Sequence, residues 1–168
     1  MIVKTELKKS VAVLAAVVAL AAPGTAFAQA DGSSSLASAD RMIAQCLDYA
    51  ATQKLTPLSV AVVDPSGTLV AFKRQPGAAS VTAEAALLKA RTAARLNAPT
   101  AVLGPAVADD GPTRDTFLIL QLTTIPGGVP FADANAQLAG AVGVSGSAPD
   151  QDAACAARAI EPSPARRK

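Results

Sequence analysis

Leu58-Ser59-Val60-Ala61-Val62-Val63-Asp64-Pro65-Ser66-Gly67-Thr68-Leu69-Val70-Ala71-Phe72 is the stretch on which the fold turns. Two β-rich runs, Leu58 to Val63 and Thr68 to Phe72, flank a four-residue connection. Pro65 presets the φ of a type I turn and Gly67 allows the chain to return, so the segment reads as a β-hairpin. Before it, Leu36, Ala39, Ile43, Cys46, Leu47 and Ala50 recur at helical spacing, which predicts a first helix ending near Lys54. After it, Ser80 is placed to cap a long Ala/Leu helix from Val81 to about Leu96, stopped by Asn97 and Pro99.

Further along, residues 98 to 116 read as loop with room for one short helix. Phe117 to Thr124 is apolar and β-branched and ends at Pro126-Gly127-Gly128, which predicts a central strand followed by a glycine turn, with Val129-Pro130 resuming an extended path. Ala139 to Ser145 reads as a further strand. Ser147, with Asp150 three residues later, resembles a capping box opening a last helix through about Ile160. The order of helix, hairpin, helix, strands and helix defines an α+β fold in which helices pack against an antiparallel sheet.

The amino end has another character. Lys4, Lys8 and Lys9 precede an uncharged apolar run, Val11 to Ala22, too short to span a bilayer. A Pro-Gly break and Ala26-Phe27-Ala28 follow, with small residues where a signal peptidase needs them. Residues 1–28 are therefore expected to be a signal peptide cut after Ala28, residues 29–35 a flexible lead-in, 36–160 one domain, and 161–168 a disordered, proline-bearing tail. The expected location is the periplasm or the outside of the cell, with no membrane attachment after cleavage.

Charge and composition exclude several classes. The whole chain has a formal net charge of +2, and three of its fifteen basic residues but one of its thirteen acidic ones lie in the leader, so the processed chain is neutral. Its aromatic residues, Tyr49, Phe72, Phe117 and Phe131, offer no stacking platform, and there is no phosphate-tracking field, which sets nucleic acid aside. Histidine is absent, so Ser-His-Asp and Cys-His catalysis and histidine metal sites cannot be built. Gly143-Val144-Ser145-Gly146-Ser147 lacks the final glycine of a nucleophile elbow and has no base to activate Ser145. Asp109, Asp110 and Asp115 lack the spacing of a calcium loop and read as a solvated acidic turn. No metal site and no catalytic residue is expected. Cys46 and Cys155 are either a disulfide joining the two ends of the domain or two separate core residues.

Leu58 to Gly67, Ala86 to Thr92 around Lys89-Ala90, Gly127-Gly128-Val129-Pro130, Gly140 to Gly146, and Gln151-Asp152 occur in an order that resembles the GlcG/HbpS family of haem-associated proteins. The resemblance runs from about Leu36 to Ile160. It implies a small α+β domain with an antiparallel sheet flanked by helices in a profilin-like layering, and a tendency to form homo-oligomers. For some members it implies binding or degradation of haem. Where many members read Arg-Met-Asp-Gly-Ala, this chain has Arg74-Gln75-Pro76-Gly77-Ala78, so any role of that acidic residue is not carried over.

Without histidine, Tyr49, Met42, Cys46 and Cys155 are the conceivable haem ligands. Met42, Cys46 and Tyr49 share one stripe of the first helix, which is either a haem contact or a core edge. Gly127, Gly128, Val129, Pro130, Gly143, Ser145 and Gly146 are the candidate ligand-binding positions. Glycines let a ligand approach the backbone or simply make turns, and amides ahead of the last helix suit a carboxylate or propionate. The sequence therefore favours an exported module that binds haem, a related tetrapyrrole or a smaller organic ligand. The alternatives are a histidine-free enzyme, acting on haem or a small acid, and a purely structural oligomer.

Overall fold

The computed structural model describes residues 35–162. The signal peptide expected over 1–28, the lead-in as far as residue 34 and the tail from 163 onward lie outside the described residues. The elements are α1 (Leu36–Thr52), β1 (Ser59–Val63), β2 (Leu69–Arg74), α2 (Val81–Leu96), a 3-10 turn (Thr100–Val102), α3 (Gly104–Ala108), α4 (Gly111–Ile119), β3 (Gly128–Ala132), β4 (Leu138–Ser145) and α5 (Pro149–Ala159). The four strands form one antiparallel sheet in the order β2-β1-β4-β3. The fold is α+β.

Asp64 makes the hairpin turn. Its Oδ1 accepts from Ser66 N at 2.8 Å and Thr68 N at 2.9 Å, while Gly67, at φ +84°, donates to Asp64 O. β1 is buried along its whole length because it is central and covered on both faces. Strand alternation divides its side chains. Val60 and Val62, with Val142 and Val144 opposite them on β4, face a layer made by α1 and α5. Ala61 and Val63, opposite Gly143 and Ala141, face α2, whose buried residues Ala86, Ala90, Ala93 and Ala94 complete that side. One face is thus packed with branched side chains, and the other, Val63 apart, mostly with alanine methyl groups or none. Helix α2 consequently lies very close to the sheet.

Helix α1 buries Ala39, Met42, Ile43, Cys46 and Ala50, and Ser35 caps it by accepting from Ser38 N at 3.2 Å. Cys46 on α1 and Cys155 on α5 are joined in a disulfide, with their Cα atoms 4.9 Å apart. The two outer helices are thereby one covalent layer.

Three local expectations are corrected. Phe117 to Thr124 is not a central strand: Phe117 to Ile119 end α4, Gln121 turns at φ +52°, and Leu122 N donates back to Phe117 O. The decision is made upstream, where Asp110 caps the helix by accepting from Thr113 N and Pro112 occupies its first turn. A well-started helix here overrides a β-rich composition. Ser80 makes no side-chain cap to α2, because its own backbone is already helical, at φ −58° and ψ −40°. Ser147 and Asp150 form no capping box. The cap position is Ala148, whose N donates to Gln151 Oε1 at 3.3 Å, and Ser147 Oγ instead meets Thr56 Oγ1.

Candidate functional site

The candidate glycines converge where the end of β4 passes beneath α2. Gly143 lies so near α2 that a Cβ built on it would be 2.0 Å from Ala86 O. A Cβ on Gly128 would be 2.3 Å from Lys89 O, and one on Gly127, at φ +129°, would be 2.6 Å from Val144 O and 2.9 Å from Lys89 Nζ. No side chain fits at any of the three positions, because backbone already fills the space. Gly146, past the end of β4, is pressed in the same way against Pro57 and Leu58.

The peptide groups there are engaged as well. Gly128 N donates to the buried Thr100 Oγ1 at 2.9 Å, and Val144 N donates to Gly127 O at 2.9 Å. Ser147 N donates to Asp152 Oδ1 at 3.0 Å, so a carboxylate of the chain itself occupies the place that an anion would take ahead of α5. Val129 and Pro130 are half-buried on the edge strand β3, which tolerates a proline lacking an N–H. Ser145 is half-buried and pairs with Ser59 across β1 and β4.

At the centre of this convergence is a pair to which the sequence reading assigned no role. Lys89 Nζ donates to Asp152 Oδ2 at 2.9 Å and to Val144 O at 2.9 Å, with both charged side chains buried. The bonds link α2, β4 and the first turn of α5. Burial pushes the Asp152 carboxyl above its ordinary value, against the pull of Lys89 and of the Ser147 and Gly146 amides. A lysine inside an otherwise alanine-rich helix face, flanked by Ala86, Ala90 and Ala93, was the available signal.

The candidate haem ligands lie elsewhere. Met42 is buried in the core between α1, α5 and the sheet, and Tyr49 is half-buried against the same cluster. Cys46 and Cys155 bind each other and so have no thiolate to offer. Met42 and Tyr49 are on the α1 face of the sheet, whereas Gly127, Gly128 and Gly143 pack against α2; the structure does not bring the two groups together. Among the described residues there is no group of three or more His, Cys, Asp or Glu side chains placed to hold a metal ion. The donor set does not fit haem iron held by cysteine or by an exposed methionine. Tyr49 is what remains of the candidates.

A four-stranded antiparallel sheet with α2 on one face and a linked α1/α5 layer on the other defines the class of domain. Within that class, the model of the HbpS-like family, described as "Haem degrading protein HbpS-like", matches residues 34–161, and this chain belongs to that family. Protein ORFY of Klebsiella pneumoniae is 30% identical, with 75% of this chain and 87% of that one covered and a TM-score of 0.69. A double mutant of Streptomyces reticuli HbpS is 25% identical, covers 90% of this chain and 97% of its own, and has a TM-score of 0.68. The PduOC complex with haem is 28% identical over 76% of this chain and 93% of that one, at a TM-score of 0.65. No curated protein matches the sequence.

Proposed function

We propose that this chain is an exported, homo-oligomeric module that binds haem or a related tetrapyrrole. Membership of the HbpS-like family, together with a structural neighbour crystallised with haem, is the observation that carries the reading. The disulfide between Cys46 and Cys155 supports the exported location, because such bonds persist in oxidising compartments. The absence of histidine shapes the mode of binding. Either Tyr49 contacts the iron, or the porphyrin is held by apolar packing and by hydrogen bonds to its carboxylates.

Titrating the purified protein with haemin and following the absorption spectrum tests the reading. A saturable shift at a stoichiometric ratio supports the module, and its loss in Tyr49→Phe assigns the axial contact. No shift at any ratio removes the tetrapyrrole reading. Catalytic loss of the haem band with release of iron replaces the binding module by an enzyme.

A further inference from the structure

Helices α3 and α4 are short, five and nine residues, and neither has a buried residue. Helix α4 packs chiefly on α3, and α3 on α4 and the 3-10 turn. Helices of this length are marginal in water and draw their stability from an apolar face that is covered. Here that face is bare. Leu118 is 70% exposed and Ile119 79%, and the chain leaving α4 adds Leu120 and Ile125, both more than half exposed. The arm is nevertheless anchored at its far end. Arg95 Nη1 donates to Leu120 O at 3.2 Å and Thr123 N donates to Thr92 Oγ1 at 3.1 Å, which places the apolar run beside the end of α2, where Leu96 is also exposed.

We infer that the α3–α4 arm is a self-association surface that a second copy of this chain covers about a two-fold axis. The inference rests on the oligomeric part of the reading above and names the surface that makes the contact. Two features of the arm select a second copy over other occupants. The first is charge: Asp109, Asp110 and Asp115 accompany Arg114 on the arm, and Arg95 stands at its foot. Two arms set antiparallel about such an axis would bring Arg114 of one copy to the carboxylates of the other. A tetrapyrrole, which carries carboxylates of its own, would meet an arm with more acidic than basic residues. The second is area, since two copies together withdraw the equivalent of about six whole Leu or Ile side chains from water, enough to offset the cost of association at micromolar concentration.

Sedimentation velocity on the purified protein and on I119D, over a wide concentration range and with haemin titrations in parallel, tests the inference. The expected result is self-association of the parent and a dissociation constant raised at least about 100-fold in I119D, because each two-fold contact loses Ile119 twice. Far-UV circular dichroism should be unchanged. A parent that is monomeric throughout, or an I119D that associates like the parent, overturns the inference. If I119D keeps its mass but loses haemin binding, the patch takes the tetrapyrrole; the inference then fails while the binding reading stands. If mass falls as expected and neither protein binds haemin, the inference stands and the tetrapyrrole reading fails. Should I119D not fold, I119S replaces it in the same sedimentation experiment: a weakened association supports the contact, and association like the parent's overturns it.

Discussion

Lys89 Nζ and Asp152 Oδ2 lie 2.9 Å apart, 63 residues separated in sequence and both buried. Such a pair contributes little net stability, because desolvating two charges nearly cancels their attraction, but removing one partner strands the other. K89M is expected to lose about 3–5 kcal/mol in urea unfolding, and the double variant K89M/D152L to recover most of that loss. Loss of less than about 0.5 kcal/mol in K89M would remove the pair from any structural role.

Gly143 is the position where α2 has no room to yield. A Cβ there meets Ala86 O at 2.0 Å and Ala90 N at 2.5 Å, both backbone atoms. G143A should therefore push the helix off the sheet and cost about 3 kcal/mol. Gly104, around which a Cβ meets nothing within 4 Å, provides the control. G104A should stay within about 0.5 kcal/mol of the parent. Equal effects of the two substitutions in thermal unfolding would refute the close approach.

These two sites show how far the sequence was legible. The hairpin could be read because its causes are local: Asp64, Pro65 and Gly67 specify the turn, and the runs beside it are β-rich. Helix α1 could be read because burial of Ala39, Ile43 and Cys46 follows the helical repeat. Phe117 to Thr124 misled because its composition is that of a buried strand, while Asp110 and Pro112, upstream, had already started a helix whose apolar end is exposed. Gly127, Gly128 and Gly143 were visible as glycines, but a turn, a ligand contact and a helix contact leave the same letter. Only the path of α2 decides among them. The pairing of Lys89 with Asp152 is not legible in the sequence, since nothing local joins a lysine of one helix to an aspartate at the start of another.

Acid separates two carboxylates that neutral pH does not. Asp64 is held below its ordinary value of 3.8 by the Ser66 hydroxyl first and then by the Thr68 amide. Its contribution is present above about 3.8 and is lost as pH falls through the lower folded value. Asp152 is raised, chiefly by burial, so the folded protein holds this proton more tightly than the unfolded chain. Its contribution declines as pH rises from 3.8 through the folded value. On acidification the stability difference between the parent and D64N should shrink, while the difference between the parent and D152N should shift in the parent's favour. Chemical unfolding at a series of pH values reads both trends, and parallel trends for the two variants would contradict the assignment.

The Cys46–Cys155 bond closes a loop of 109 residues and ties α1 to α5. Because closure of so long a loop mainly restricts the unfolded chain, the chain-entropy account assigns the bond about 5 kcal/mol. The folded layer is expected not to depend on it, since Met42, Ile43, Ala156 and Ala159 share one apolar cluster with Val60 and Val142. Reduction, or the pair C46A/C155A, should therefore leave the folded circular dichroism spectrum unchanged and lower the unfolding midpoint. A titratable thiol in the unreduced protein, or a midpoint indifferent to reductant, would count against the bond. Loss of the folded spectrum on reduction would instead mean that α1 and α5 are held by the bridge more than by their apolar contacts with the sheet.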